Sequence, residues 1–339
     1  MSPQASRRPT IHDVARQAQV SITTVSHSLN GKGSVAEATR QRVISVAAEL
    51  GYSADAIARG LREQKLGVMG LVMRPLDDLD SYQPSGVDYF MRFAGAAAIA
   101  ALDRGYGLML VRDPAASDAP AIALALDGFI IADPVENDPV IALLERTGVP
   151  AVAVGRDIGR PEFTDWIGAG SQNVHTVLSH LREKGARTIA LVAGTDANAW
   201  NADSEQSYRS WAEDAGMDAT VFHQEERSGE LGGRSVAQQF LDSVTLPDAV
   251  YCLTGRHAAG LQSRLAEAGI QSPQDIMIVA GSDSEQTRNS APPITSVDLA
   301  PEKTARAAVD FLVARLSGDA DALPPVVPTE LIIRASTEK

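Results

Sequence analysis

The stretch TIHDVARQAQVSITTVSHSL, Thr10 to Leu29, decides the fold of the first part of this chain. Thr10 and Asp13 form a capping pair at the start of a helix. Apolar residues then recur at helical spacing, at Ile11, Val14, Ala15 and Ala18. Ser21 offers a second N-cap oxygen, and a new helix is predicted from Ile22 to Leu29. The pattern therefore predicts two short helices joined by a tight turn.

Two helices of this size form a helix-turn-helix, whose second helix can enter the major groove of DNA. Its short polar side chains can then reach the edges of the bases. The outward positions of the second helix are Ile22, Thr23, Thr24, Ser26 and His27. Taken alone, the stretch is also compatible with an ordinary helical hairpin inside a larger core.

Two neighbouring features favour the DNA-binding interpretation. A third helix is predicted from about Glu37 to Leu50, with Gly51 past its end, and it completes a three-helix domain. Residues 1–65 carry nine Lys and Arg against five Asp and Glu, whereas the remainder carries 21 against 38. A basic head on an acidic body is expected of a protein that binds phosphate groups through one small domain.

The first 62 residues resemble the lactose-repressor (LacI/GalR) family of bacterial transcription regulators. The blocks that carry the resemblance, in the order and spacing of the family, are TIHDVARQAQVSITTVSHSLN, VAEATRQRV, AELGY and ADAIARGL. The resemblance implies a repressor that binds a pseudo-palindromic operator and responds to a small molecule. It also implies a homodimer, because one three-helix head reads only a few base pairs and a two-fold pair matches two half-sites.

The segment SADAIARGLREQ, residues 53–64, is too short to be a stable helix alone in water. In the family this hinge helix forms on DNA and inserts a leucine into the minor groove, a position taken here by Leu61 with Ala58 beside it. The alternative is that Leu61 packs on its own domain. The residues predicted to contact DNA are Thr10, Ser21, Ile22, Thr23, Thr24, Ser26, His27, Asn30, Thr39, Arg40, Ala58 and Leu61.

From Gly67 onward, apolar runs alternate with amphipathic segments, which is typical of a doubly wound parallel sheet. Strands are predicted near 67–73, 107–111, 128–132, 151–154, 188–193, 219–222, 249–253, 276–280 and 330–334. The predicted fold class is thus α plus α/β, with a three-helix head, a hinge helix and a two-lobed body. The resemblance implies a body like a periplasmic binding protein, which the chain crosses three times.

The predicted domains follow from this pattern and from the resemblance. They are a DNA-binding domain at 1–52, a hinge helix and linker at 53–65, and an effector-binding and dimerisation domain at 66–339. The first lobe is expected at about 66–166 and 297–326, and the second at about 167–296 and 327–339.

The effector is expected in the cleft between the lobes. Tyr89 and Phe90 open the helix after the first strand, where ligands of parallel sheets usually bind, although one of the two rings can simply pack inward. The resemblance makes Asp283 the carboxylate that accepts hydrogen bonds from a sugar or base. The predicted effector-binding residues are Tyr89, Phe90, Gln172, Trp200, Ser204, Thr254 and Asp283.

Several of these positions depart from the family pattern. Ser204 stands where most members have an arginine, Thr254 where they have an asparagine, and the segment 169–172 where they have an acidic residue. Loss of the arginine removes bidentate recognition, for which stacking on Trp200 is a hypothetical replacement. The predicted ligand class stays broad, a sugar, a nucleoside or a related metabolite.

Other chemistry finds little support in the sequence, so no enzyme activity, cofactor or metal is predicted. GAGSQN at 168–173 lacks the third glycine of a dinucleotide loop, and His175 and His180 fall on different helix faces. The single cysteine, Cys252, lies in the strand-like run AVYCL and is interpreted as a core residue. No apolar run reaches the length of a membrane-spanning helix, which favours a cytoplasmic protein without a membrane partner.

Two alternatives stay open. In one, the chain is a small-molecule binding protein or enzyme with an incidental helical head, which would need a signal peptide or a catalytic constellation. In the other, the chain is a DNA-binding regulator whose altered pocket is vestigial and whose signal comes from a partner protein.

Overall fold

The computed structural model describes residues 9–29, 33–52, 65–74, 88–168, 172–243 and 245–338. The chain divides into two compact units, Met1–Leu66 and Gly67–Lys339. The predicted hinge segment at 53–64 lies outside the described residues, and so does Asn30. Within the described residues, no helix has both the length and the apolar character needed to cross a membrane.

The described residues of the first unit form three helices, α1 (Ile11–Ala18), α2 (Ile22–Leu29) and α3 (Glu37–Leu50), and α2 and α3 have the predicted bounds. The carboxylate of Asp13 accepts hydrogen bonds from the backbone N–H and the hydroxyl of Thr10, at 2.9 and 2.7 Å, so the predicted capping pair is present. The buried core consists of small apolar side chains, Val14, Ala15, Ala18, Val25, Val43, Val46 and Ala47.

The second unit is built on two sheets. Among the described residues, the first sheet has five parallel strands in the order β2-β1-β3-β4-β5. These strands are β1 (Val68–Met73), β2 (Gly107–Val111), β3 (Gly128–Ala132), β4 (Ala151–Val154) and β5 (Trp166–Ile167). Helices α4 (Asp88–Asp103) and α5 (Pro139–Thr147) belong to this first lobe. The inner residues of β1, β3 and β4 are buried, which explains the near-continuous apolar runs of these segments.

The second sheet has the order β11-β10-β9-β8-β6-β7. Its strands are β6 (Ile189–Ala193), β7 (Thr220–His223), β8 (Ala249–Cys252), β9 (Met277–Ala280), β10 (Thr295–Asp298) and β11 (Glu330–Ile332). The helices of the second lobe are α6 (Gln172–Glu183), which precedes β6, and α7 (Ala199–Asp214), α8 (Gly229–Asp242), α9 (Gly255–Glu267) and α10 (Glu285–Asn289). Helix α11 (Pro301–Leu316) returns to the first lobe, where Phe311 and Leu312 join the core of the first sheet.

The lobe boundaries differ by one or two residues from those expected. The sequence assigned residues from 297 onward to the first lobe, but β10 extends to Asp298 and pairs with β9 in the second sheet. Likewise Ile167 pairs with Val154 and stays in the first sheet. Strand β11 is antiparallel to β10, because the chain returns to the second lobe along its edge. These differences reflect hydrogen bonds between strands that are distant in sequence.

Candidate functional site

The second helix of the head, α2, exposes one face to solvent. The hydroxyl of Ser21 accepts a hydrogen bond from the backbone N–H of Thr24 at 3.1 Å, so Ser21 caps α2 as predicted. Val25 is buried beneath the helix, whereas Ile22, Thr23 and His27 are exposed and Thr24 and Ser26 are half-buried. The predicted outward residues therefore lie on one accessible face of α2.

The imidazole of His27 lies close to Gly33, which follows α2 in the sequence. Gly33 has a φ of +71°, and a β-carbon there would lie 2.6 Å from Nδ1 of His27. The imidazole thus packs against a backbone that only glycine fits well. This contact was missed in the sequence analysis, although the run Asn-Gly-Lys-Gly after the helix is a signal for left-handed backbone geometry.

The other residues predicted to contact DNA divide into two groups. Thr10, Thr39 and Arg40 are half-buried at the starts of α1 and α3. Helix α3 begins at Glu37, and its N-cap residue Ala36 provides no side-chain hydrogen bond to the first turn. Asn30, Ala58 and Leu61 lie outside the described residues, so the predicted hinge contacts stay predictions.

In the body, Tyr89 and Phe90 at the start of α4 have different roles. Phe90 packs against the core of the first sheet. The ring of Tyr89 meets that of Phe90 edge to face at 5.2 Å and lies parallel to that of Phe93 at 6.3 Å. Burial, and then the nearby charge of Asp133, raises the pKa of the Tyr89 hydroxyl. Tyr89 is therefore next to a carboxylate that the sequence analysis did not single out.

Asp133 follows directly after β3 and has left-handed backbone geometry, with a φ of 52°. Burial, together with the charges of Asp196 and Glu226, raises the pKa of Asp133 to about 7. Asp196 and Glu226 belong to the second lobe, so three acidic residues approach one another where the lobes meet. A negatively charged Asp133 is unfavourable here, because burial opposes ionisation and the nearby like charges add to this effect.

Glu226 organises the loop of the second lobe that faces Asp133. Its carboxylate accepts hydrogen bonds from the backbone N–H groups of Thr195 and Asp196 and from the amide of Asn201. On the first-lobe side, the N–H of Glu136 donates to the carbonyl of Ala197 at 2.8 Å. The loops after β3 and β6 are therefore in direct contact across the lobes.

The remaining predicted effector residues do not all face one site. Trp200 packs against the core of the second sheet, and Ser204 is buried in α7 with 4% of its surface exposed. Thr254 caps α9 by accepting a hydrogen bond from the N–H of His257. Gln172 is exposed at the first residue of α6. The hydroxyl of Thr254 is thus already used in local structure.

Asp283 is occupied by other residues of the chain. Its carboxylate accepts hydrogen bonds from Arg334 at 2.7 Å, from Ser296 at 2.6 Å and from Arg288 at 2.7 Å. Although burial opposes ionisation, the hydrogen bonds from Arg334, Ser296 and Arg288 lower the pKa of Asp283 to about 2. The carboxylate expected to serve a ligand is therefore neutralised by two guanidinium groups.

Two residues considered for other chemistry have structural roles. His180 is buried and its Nε2 lies 2.9 Å from the hydroxyl of Thr337, while His175 is exposed. Cys252 is fully buried in β8, where burial raises the pKa of its thiol, so the prediction of a core residue is confirmed. The described residues contain no group of three or more His, Cys, Asp or Glu side chains placed to hold a metal ion.

Comparison with known proteins matches both parts of the chain. Residues 10–55 match the family of bacterial regulatory proteins of the lacI type, and residues 178–337 match a periplasmic binding protein-like domain. Among curated relatives, the HTH-type transcriptional regulator CelR of Thermobifida fusca is 28% identical, covering 97% of this chain and 98% of its own. The transcriptional repressor PurR of Glaesserella parasuis is 27% identical, covering 96% of this chain and 98% of its own.

Solved structures agree with the fold. A lac repressor dimer bound to operator and the anti-inducer ONPF has a TM-score of 0.81 at 21% identity, covering 98% of this chain and 99% of that chain. A complex of the regulator CelR with cellobiose has a TM-score of 0.68 at 26% identity, covering 97% of this chain and 100% of that chain. A helix-turn-helix head joined to a two-lobed α/β body defines a DNA-binding transcription regulator. The chain belongs to the LacI family of bacterial regulators.

Proposed function

We propose that this regulator is a repressor that binds a pseudo-palindromic operator as a homodimer. The observation that carries the proposal is the exposed face of α2, whose N-terminus is capped by Ser21 and whose inner side is anchored by Val25. A capped helix with short polar side chains on its open face is suited to the major groove. The excess of basic residues in 1–65 favours contact with phosphates.

The test is selection of DNA sites by the purified full-length protein, followed by binding measurements at several salt concentrations. We expect a site with two related halves, at nanomolar affinity or tighter and about a thousandfold or more above random DNA. Equal affinity for selected and random DNA would contradict the proposal. Leu61→Ala is expected to weaken binding to the selected site while leaving the body folded, if Leu61 and Ala58 enter the minor groove.

For the homodimer we propose an apolar face on the first lobe, formed by Ile99, Leu102 and Leu110. These side chains are 59%, 68% and 60% exposed, which is unusual for large apolar residues. Leu110 lies in β2, the edge strand of the first sheet, and Ile99 and Leu102 lie one turn apart on α4. A second copy of the chain would cover this face, and the lac repressor with a similar fold is a dimer.

We propose further that a small molecule binds where the lobes meet and changes operator affinity by favouring one arrangement of the lobes. Tyr89 and Asp133 approach this region from the first lobe, and Asp196 and Glu226 from the second. The ligand class follows from the relatives, one of which is a CelR–cellobiose complex, and includes sugars, nucleosides and related metabolites. We place the protein in the cytoplasm and propose no catalytic activity.

One observation favours a second candidate, a regulator whose signal comes from a partner protein. Asp283 is saturated by Arg288 and Arg334, and Ser204 is buried, so the positions used by the family offer few free groups. Calorimetry with a panel of sugars, nucleosides and their phosphates separates the candidates. Binding that is lost in Asp133→Asn supports the small molecule, whereas no binding across the panel supports the partner protein.

A further inference from the structure

A single arginine connects the two lobes through carboxylates on both sides. Arg288 lies in α10 of the second lobe, and its Nη1 donates to Asp283 at 2.7 Å. Its Nη2 donates to Asp88 at 2.9 Å, and Asp88 is the first residue of α4 in the first lobe. Because one planar guanidinium makes both contacts, the two carboxylates are held in a fixed relation to each other.

The second-lobe end of this bridge is firmly anchored. Asp283 also accepts hydrogen bonds from Arg334 at 2.7 Å and from Ser296 at 2.6 Å. Arg334 in turn donates to the carbonyl of Ile294 at 2.8 Å. Ser296 lies in β10 and Arg334 follows β11, the two strands next to the points where the chain crosses between lobes. Movement of Asp283 would therefore disturb the crossover strands.

The first-lobe end is anchored by a second arginine. Arg92, one helical turn after Asp88, lies 3.8 Å from its carboxylate and pairs with Glu302 through two hydrogen bonds of 2.7 and 3.0 Å. Glu302 is in the first turn of α11, the helix that follows the second crossover. Charges thus alternate without interruption from Glu302 through Arg92, Asp88, Arg288 and Asp283 to Arg334. We call these six residues the charge ladder.

The charge ladder includes residues of both lobes, so it depends on the distance between them. Within the charge ladder, the contact between Arg288 and Asp88 is the one that crosses from one lobe to the other, and at 2.9 Å it exists only while the lobes are this close. A second interlobe ion pair, between Arg156 and Asp203, lies outside the ladder. Separation by a few ångströms would break this hydrogen bond, leaving Arg288 paired with Asp283 alone and Asp88 with Arg92 alone. Asp88 directly precedes Tyr89 at the start of α4. The contact between Arg288 and Asp88 therefore lies next to the region proposed for the effector.

We propose that Arg288 is an interlobe latch, a positioning residue that stabilises the arrangement in which the lobes touch. Asp283 pairs with residues of its own lobe and anchors Arg288 there. The effect of the latch on operator affinity rests on the proposed function, because it requires that the arrangement of the lobes controls DNA binding. The effect on lobe separation can be measured independently of any DNA or effector.

The experiment measures lobe separation in the full chain with spin labels on introduced cysteines, Ser117→Cys in the first lobe and Gln206→Cys in the second. Both positions are exposed, and native Cys252 is fully buried and out of reach of the label. Arg288→Gln and Asp88→Asn are each expected to add a population with a longer distance between the labels. Arg288→Lys should restore most of the short distance, because an ammonium group can still pair with Asp88.

The matched control is Arg234→Gln, which removes an equal charge from an ion pair inside the second lobe, between Arg234 and Glu267 at 2.7 Å. It should leave the distance unchanged. The double variant with both Asp88→Asn and Arg288→Gln should resemble either single variant, because they break the same contact. Unchanged distances in both single variants would overturn the latch, and so would an equal effect of Arg234→Gln.

Operator affinity in the same variants then tests the coupling. An altered distance with a change in operator Kd of about fivefold or more supports the latch and the proposed control of DNA binding. An altered distance with unchanged Kd supports the latch but contradicts the proposed coupling. If the protein binds no specific DNA, the proposed function fails, while the distances still decide whether the latch exists.

Discussion

Gly233 in α8 lies directly against the backbone of His257 in α9, so that a β-carbon at Gly233 would be 2.0 Å from the carbonyl oxygen of His257. Gly260 makes the reciprocal approach, where a β-carbon would lie 1.9 Å from the carbonyl oxygen of Glu230. The two helices therefore meet backbone to backbone, and the glycines are required by this contact and not by an unusual φ.

Gly233→Ala should consequently destabilise the body by about 1–3 kcal/mol or more, since neither backbone can move far enough to admit the methyl group. Chemical unfolding followed by circular dichroism measures this. Gly95→Ala is the matched control, because Gly95 is also in a helix and a β-carbon there would have no neighbour within 4 Å. It should be neutral or stabilising by up to about 1 kcal/mol. Similar losses in both variants would contradict the argument from close contact.

His27→Ala should relax operator specificity at one base pair, at a cost of about 1–3 kcal/mol for the preferred base, if the exposed imidazole contacts a base edge. The measurement is Kd for the selected site and for its single-base variants. His12→Ala, an exposed histidine on α1, serves as control and should leave the sequence preference unchanged. A uniform loss of affinity across all sequences would indicate that His27 contacts phosphate instead.

Asp133→Asn should make thermal stability less dependent on pH between about 4 and 7. In the native protein the pKa of Asp133 is raised to about 7 from an ordinary value of 3.8. The unfolded chain loses this proton near pH 4 and the native state only near pH 7, so the native state is progressively disfavoured as pH rises through this interval. The variant has no such cost, and its advantage in Tm should grow from pH 4 to pH 7 and then level off.

Asp283, with a pKa of about 2, stays ionised over this interval in both proteins and does not obscure the comparison. Asp118→Asn, at an exposed position, removes the same charge and is the control. A Tm difference between the Asp133→Asn variant and the native protein that is constant with pH would contradict the role given to Asp133.

Leu110→Glu should shift the protein from dimer to monomer, because it places a charge on the edge strand β2 within the proposed apolar face. Sedimentation at several concentrations measures the change. Val326→Glu introduces the same charge at a residue that is 82% exposed in the segment between α11 and β11, and it should leave the dimer intact. Equal dissociation by both substitutions would point to a general effect of charge, and an intact dimer in Leu110→Glu would place the interface elsewhere.

Much of the local structure follows from the sequence alone. The bounds of α1 and α2 agree with the capping residues Thr10 and Ser21, because a cap acts over three residues and needs no distant partner. The buried strands β1, β3, β4, β6, β8 and β9 were predicted from their apolar runs, since both faces of these parallel strands are covered. The motifs that placed the chain in its family lie in the same local segments.

The tertiary structure decided the contacts between distant segments. Strand β5 has only two residues, and β10 has the sequence TSVD with a single apolar residue, so neither forms an apolar run. Their sheets are assigned by hydrogen bonds to β4 and β9. The raised pKa of Asp133 and the lowered pKa of Asp283 depend on neighbours from other parts of the chain. Charges act through space and not along the sequence, so only the folded body shows that Asp283 is paired with Arg288 and Arg334.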